Sequence, residues 1–366
     1  MTQRRAFGEG RPAQPAPIGR ASGSPPRLLA LCAGYGGLEE AIRAGTGGVP
    51  VAFAENDQYA AAVFAAHHPG VPNLGDITAV DWKRVRDLYA PDVIGAGFPC
   101  RNISNAGRRD GINGQWSRVW KNVAQAVGVI RPRYVFLENV AALRSRGLDV
   151  VAADLAAIGY DVRWTCLRAG DAEVGAPHPR DRWFAVAHPA DADPDHGGRY
   201  RWTRHQPQPQ GRTESPHGGH PTAGAAGRLT LLPTPKASDG PHGGPNQRDT
   251  KGNYYLPGQA VRLDERWVST DGTDYGPAIR RWERVTGRAA PCPTEPGTRG
   301  NRRLSPAFAE WLMGLPAGWV TAVPDIPRKE QLKILGNGVV PQQAQHAYAL
   351  LLGARIPARL EGRNAA

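Results

Sequence analysis

This 366-residue sequence predicts an α/β fold in which a parallel sheet is interrupted by a smaller, irregular module. Three observations lead there. From Arg27 to about His188, short apolar runs alternate with stretches of helical periodicity, the form a parallel sheet takes when helices link its strands. Residues 189–228 then lose almost all large aliphatics in favour of Pro, Gly, His, Arg and Gln. Ordinary globular patterning resumes at Leu304.

In chain order, residues 1–26 are rich in Arg, Pro, Gly and Ala without periodicity, which predicts a disordered basic tail. Apolar runs predict strands over 28–32, 51–55, 92–96, 134–138 and 183–187. Helical spacing predicts helices over 39–44, 58–67, 119–130 and 150–157, and 163–167 reads as a further strand, antiparallel and near the edge. Residues 229–300 stay rich in turn formers but carry Tyr254, Tyr255, Trp267, Tyr275 and Trp282 among many arginines. Phe308, Trp311, Leu312 and Leu315 follow, and a helix from about Gln342 to Leu352 closes the pattern. The expected organisation is a tail (1–26), a catalytic cofactor-binding domain (27–188), a linker and recognition module (189–300) and a return to the first domain (301–366). No internal repeat is expected.

The chain has 45 Lys and Arg against 33 Asp and Glu, a net charge of +12, which favours a polyanionic partner and nucleic acid before a membrane. Its four cysteines (Cys32, Cys100, Cys166, Cys292) form no Cys-x-x-Cys pair, so neither a disulfide framework nor a metal site is indicated. With no apolar signal core and no run of about 18 apolar residues, a reduced cytoplasmic protein is expected, in a bacterial or phage-infected cell.

Chemistry concentrates at strand ends. Cys32-Ala33-Gly34-Tyr35-Gly36-Gly37 follows the first strand and opens a helix, and glycines there let backbone approach a ligand. Glu55 ends the second strand, where a carboxylate can hold ribose hydroxyls, and Asp76 in Gly75-Asp76-Ile77 can accept from an adenine amino group. Each acid alone is more often a solvated carboxylate or a helix cap; three features at successive strand ends favour a nucleoside cofactor. Pro99-Cys100 ends the third strand and Glu138-Asn139-Val140 the fourth. In a parallel sheet these ends face one crevice. A thiolate can add to an electron-poor carbon there, while an acid stabilises the nitrogen that gains charge.

Pro99-Cys100 followed by Glu138-Asn139-Val140 resembles the signature pair of the DNA (cytosine-5)-methyltransferases. The glycine turn, Glu55 and Asp76 precede it in the family's order. Ala176-Pro177-His178-Pro179-Arg180-Asp181-Arg182 resembles its Gln-x-Arg-x-Arg motif with His178 for Gln, and Gly336-Asn337-Gly338-Val339 its closing Gly-Asn-x-Val motif. The family often has an aromatic residue where Cys32 stands, a large side chain where Asn56 stands and Gln where Arg101 stands.

The resemblance implies a Rossmann-like S-adenosylmethionine-dependent methyltransferase sheet with an inserted target-recognition domain, acting on double-stranded DNA as a monomer, with or without a cognate restriction endonuclease. It implies that Cys32, Ala33, Gly34, Gly36, Gly37, Glu55, Asn56, Asp76, Ile77, Pro99, Asn337 and Val339 hold the cofactor. Cys100 would attack C6 of a flipped cytosine and Glu138 would serve N3. Asn139 and Arg182 would hold the base, and Arg180 would steady the loop or a phosphate. An RNA or tRNA cytosine-5 methyltransferase, an inactive DNA-binding protein on this fold and, remotely, a dehydrogenase remain as alternatives.

Overall fold

The computed structural model describes residues 24–99, 117–190, 229–297 and 300–353. The expected tail up to residue 23, the linker from 191 to 228, and Cys100 with the loop after it lie outside the described residues.

β1 (Arg27–Leu31), β2 (Val49–Ala54), β3 (Val93–Gly97) and β4 (Tyr134–Val140) pair in parallel, in the order β2-β1-β3-β4. β5 (Tyr160–Arg168) and β6 (Asp181–Pro189) complete the sheet, with β6 antiparallel to β4 and β5 antiparallel to β6 at the edge. The expected edge strand is therefore present, but the strand around Trp183 does not join the parallel set. No helix lies between β5 and β6, and without a crossover a returning strand runs antiparallel.

Helices cover both faces. α1 (Gly37–Thr46) and α2 (Gln58–His67) bury Ile42 and Phe64 against the face formed by Leu28, Ala30 and Phe53. α3 (Trp82–Tyr89), α4 (Ser117–Ile130), α5 (Leu143–Arg146) and α6 (Leu148–Ala157) build the core on the other face, with Leu29, Leu31 and Ile94. α2 starts where Asp57 Oδ1 accepts from the amides of Tyr59 and Ala60 (3.1 and 3.3 Å), satisfying orphan donors of the first turn. Asp81 caps α3 in the same way. α3 is short and half charged, and its inward face consists of Trp82 and Val85, too few apolar positions to announce a helix. The Asp81 cap was the available signal.

Beyond the linker come α7 (Leu256–Ala260), α8 (Gly276–Thr286), a small antiparallel pair of β7 (Thr294–Pro296) and β8 (Arg302–Leu304), and α9 (Pro306–Leu312). α10 (Arg328–Asn337) and α11 (Pro341–Leu352) follow. A second core joins the segments on either side of residue 300. The Trp282 indole donates to the Trp311 carbonyl at 2.9 Å, and Trp267 stacks on Phe308. Both tryptophans of the aromatic, arginine-rich segment thus find partners in the closing segment. α11 then returns to the sheet beside α1, where Tyr348 Oη donates to the Leu137 carbonyl at 3.1 Å.

Candidate active site

The turn after β1 is a run of left-handed backbone. Cys32 (φ 53°), Gly34 (φ 55°) and Gly36 (φ 88°) curl the chain so that amides point across the strand ends. A side chain at Gly34 would meet nothing within 4 Å, so this side of the turn is open. The Gly34 amide donates to Glu55 Oε2 at 2.9 Å, and the Asp57 amide to Oε1 at 2.9 Å. Burial raises the pKa of Glu55, while these amides oppose the shift. Burial also pushes the Cys32 thiol well up, with Glu55 and Glu39 adding to the effect, so Cys32 is an uncharged wall and no nucleophile.

Asn73 clamps the end of β2 to the next loop. Its Nδ2 donates to the Glu55 carbonyl (3.0 Å), and its Oδ1 accepts from Glu55 and Gly75 amides (3.1 and 2.9 Å). This sets Asp76 beside the strand ends. Asp76 Oδ1 takes the amide and hydroxyl of Thr78, both at 2.8 Å, which lowers its pKa. Asp76 is exposed, Ile77 behind it belongs to the main core, Ala33 is buried, and Asn56 is exposed.

Gly97 of β3 pairs with Glu138 of β4, and a Cβ at Gly97 would lie 3.6 Å from Glu138 Oε2. The chain therefore leaves β3 beside this carboxyl, three residues before Cys100. Glu138 is 7% exposed; burial raises its pKa, opposed by Arg182 and then Arg180. Asn139 is more deeply buried, at 2% exposed. Its Nδ2 donates to the Phe98 carbonyl at 3.1 Å, and its Oδ1 accepts from the Val140 amide at 2.8 Å. The amide expected to hold a base thus bridges the ends of β3 and β4, bracing the half-buried Pro99.

The two arginines part company. Arg182 lies opposite Val140 on β6, and its Nε makes an ion pair with Glu138 Oε1 at 2.9 Å. Arg180 (φ 25°) is 2% exposed; its guanidinium donates to the carbonyls of Pro235 (3.1 Å), Gly336 (3.2 Å) and Gly338. These bonds tie the start of β6 to the closing segment; the loop that Arg180 is expected to steady lies outside the described residues. His178 beside it is fully buried against the Leu312 carbonyl (2.9 Å), and burial lowers its pKa to about 3.

That closing segment presses on the glycine turn. Tyr35 Oη donates to the Val339 carbonyl at 2.6 Å, and the Trp319 indole donates to the Tyr35 carbonyl at 2.8 Å. His67 stacks on Trp319 at 3.6 Å between centroids, and Lys333 Nζ reaches Asp57 Oδ2 at 2.7 Å. A Cβ on Gly37 would lie 2.6 Å from the Val339 carbonyl oxygen. Val339 is buried and Asn337 exposed at the end of α10. Sequence reasoning missed Tyr35, His67, Trp319 and Lys333; Tyr35, inside the glycine turn, was the one with a local signal. Among the described residues no group of three or more His, Cys, Asp or Glu is arranged to hold a metal ion.

Residues 27–350 match the family model described as C-5 cytosine-specific DNA methylase. The chain is 31% identical over 190 residues to the Type II methyltransferase M.CviJI of Paramecium bursaria Chlorella virus IL3A, which covers 50% of each chain. It is 36% identical over 167 residues to the Type II methyltransferase M.HgiBI of Herpetosiphon aurantiacus, covering 44% of this chain and 36% of that one. The chain thus spans about half the length, or less, of these curated relatives. Among solved structures, a putative DNA modification methyltransferase encoded within an Escherichia coli prophage aligns at TM-score 0.50 and 17% identity, over 90% of this chain and 99% of that one. The Entamoeba histolytica methyltransferase EhMeth aligns at TM-score 0.54 and 10% identity, over 90% and 98%. At these identities the structures show a shared fold.

Proposed function

The chain belongs to the C-5 cytosine-specific DNA methylase family, and from that premise we propose that it methylates C5 of cytosine in specific sites of double-stranded DNA, using S-adenosylmethionine. The observation that carries the reading is the register of β3 and β4, which brings Gly97, three residues before Cys100, beside Glu138.

The residues around the glycine turn fit the cofactor. The open side of Gly34 leaves room for its methionine part, Glu55 would take the ribose hydroxyls, and Asp76 the adenine amino group. Ala33, Gly36, Gly37, Asn56, Ile77, Pro99, Asn337 and Val339 would line the remainder. Bound there, the cofactor supplies a sulfonium-activated methyl group.

Cytosine inside a stacked duplex is out of reach, so the base is extruded, which costs a few kcal/mol. Cys100 forms a bond from sulfur to C6 of the ring. Glu138, whose pKa burial raises, donates a proton to N3, which neutralises the charge the ring acquires and leaves C5 electron-rich. After C5 has taken its substituent it loses its proton to a base, the sulfur–C6 bond breaks to return the Cys100 thiolate, and N3 gives its proton back to Glu138. Arg182 positions the Glu138 carboxyl; Asn139 and Arg180 hold the strand end and the closing segment that frame it. Residues 189–300 choose the target sequence.

The test is a Cys100→Ser variant assayed for methyl transfer to duplex DNA and for cofactor affinity. Transfer should vanish while the dissociation constant stays within a few-fold, because an alcohol is a far poorer nucleophile near neutral pH. Duplex carrying 5-fluorocytosine should trap the unaltered protein as a denaturation-resistant adduct, since C5 then has no proton to lose. Turnover by the serine variant within tenfold of the parent would overturn the assignment.

A further inference from the structure

The segment read as irregular contains one unit built twice. Thr250, Gly252, Tyr255 and Pro257 recur as Thr270, Gly272, Tyr275 and Pro277, each twenty residues later. The hydrogen bonds recur at the same offset. Asp249 donates to the Asn253 carbonyl at 2.9 Å, and Ser269 to that of Thr273 at 2.8 Å. Gly252 donates to Asp249 and Gly272 to Ser269, at 3.0 and 2.8 Å. The two glycines share a left-handed backbone (φ 85° and 84°). Bridges join Arg248 to Tyr254 and Val268 to Asp274, and each turn leads into a helix, α7 or α8, with proline in its first turn. The expectation of no internal repeat is corrected. Four identities in so short a span are too few to see without the backbone beside them.

The copies differ where they face solvent. The first turn carries Arg248 and Lys251, both exposed, and Tyr254 lies between the guanidinium groups of Arg248 and Arg262, each 3.6 Å from its ring centroid. At the matching positions the second copy has Val268, Asp271 and Asp274, with Trp282 buried in place of Arg262. The copies are locked together, since Gln259 of the first helix donates to Ser269 Oγ of the second turn at 2.8 Å. They are also locked to the site. Arg281 of α8 donates to the carbonyls of Gly170, Gly175 and Ala176, in the loop that leads to Arg182.

We infer that this duplicated turn–helix unit holds one DNA duplex in two ways, with Arg248 and Lys251 of the first copy binding phosphate and Asp271 of the second accepting from a base amino group. The inference rests on the proposed action on DNA. Stacking on Tyr254 holds the Arg248 guanidinium in place, so little conformational freedom is lost on meeting an anion. An aspartate on a DNA-facing turn gains nothing from phosphate, whereas it matches the exocyclic amino groups of cytosine or adenine displayed in the major groove. Asp271 Oδ1 already accepts from the Thr273 amide at 3.0 Å, which aims the carboxylate.

The experiment measures binding of the full chain to duplexes over a range of salt, alongside methylome sequencing of an expressing host. The double variant Arg248→Ala, Lys251→Ala should weaken all duplexes alike and lower the slope of log affinity against log salt by about two, with the methylated site unchanged. Asp271→Asn keeps an acceptor for Thr273 but turns a donor outward. It should leave the salt slope alone and cut discrimination against single-base target variants roughly tenfold or more. Unchanged slope in the first variant, or unchanged specificity in the second, overturns the inference, and thermal unfolding of each variant excludes loss of fold. A parent protein that binds duplex with this salt dependence yet makes no 5-methylcytosine would sink the catalytic proposal and leave this one standing.

Discussion

Arg182 Nε stands 2.9 Å from Oε1 of Glu138, and both side chains are withdrawn from water. A buried carboxyl beside a guanidinium is pulled two ways. Desolvation favours the neutral acid and the positive charge favours the anion; here burial wins and the pKa rises. The acid proposed to serve N3 thereby keeps its proton to higher pH than an ordinary glutamate.

Removing the Arg182 guanidinium should leave burial opposed only by the charge of Arg180. In Arg182→Gln the pKa of Glu138 rises further, so the protonated form persists to higher pH and the alkaline limb of kcat/KM moves up. A pH–rate profile checks this, whatever the loss in absolute rate. A limb that stays put or moves down would show that Glu138 does not set it. Glu138→Gln should cost about a hundredfold or more at every pH.

The two acids proposed for the nucleoside should separate in strength. Glu55 is largely buried and organised by two amides, whereas Asp76 is exposed and engaged as a cap. Charge-assisted hydrogen bonds contribute about 1.5–3 kcal/mol, so Glu55→Ala should weaken S-adenosylmethionine binding by roughly tenfold to a hundredfold. Asp76→Asn should weaken it by a few-fold. Titration calorimetry reads both, and the reverse order would overturn these placements.

A methyl group added at Gly338 would fall 1.8 Å from the Tyr35 ring, and one added at Gly45 would meet nothing within 4 Å. Gly338→Ala should therefore destabilise by about 1–3 kcal/mol and weaken cofactor binding through the displaced glycine turn. Gly45→Ala, in the last turn of α1, should be neutral or stabilising by up to about 1 kcal/mol. Thermal unfolding of the pair checks the contrast.

Stability should also bend with pH on both sides. His178 is held neutral, with its pKa lowered to about 3, so below the ordinary histidine range the unfolded chain binds a proton that the folded one refuses. Stability therefore falls on acidification, and His178→Gln should flatten that fall. Glu39 is 1% exposed, and burial raises its pKa to about 8. The folded state holds its proton above the ordinary carboxylate range, so stability falls as pH rises toward 8. Glu39→Gln should stabilise most at pH 8 and above, and denaturant titrations at several pH values read both slopes.

The sheet was legible because its strands are nearly pure apolar runs, and α2 falls on the expected residues because Asp57 and the alanine-rich stretch behind it leave no other choice. The direction of β6 was hidden, since a strand buried on both faces looks the same whichever way it runs. Glu55 and Glu138 were legible by their places at strand ends. The carbonyl contacts of Arg180 and the strand-end bridge of Asn139 were not, because an arginine bound to carbonyls and one bound to phosphate carry the same letter. Likewise, nothing local marks Trp319 as the partner of Tyr35, which lies 284 residues away.

That separation bears on how the protein is made. The hydroxyl of Tyr35 finds its acceptor at Val339, 304 residues further on, and Trp319 supplies the other brace. A ribosome therefore delivers the whole first sheet, and the segment with Cys100, well before the glycine turn has its supports. Until residue 339 clears the exit tunnel, the nascent chain carries the thiol proposed as nucleophile without a braced glycine turn. Translation order thus delays the bracing of that turn until the segment proposed to read sequence has also been synthesised. On the proposed function, the chain cannot begin methylating DNA before it can choose where.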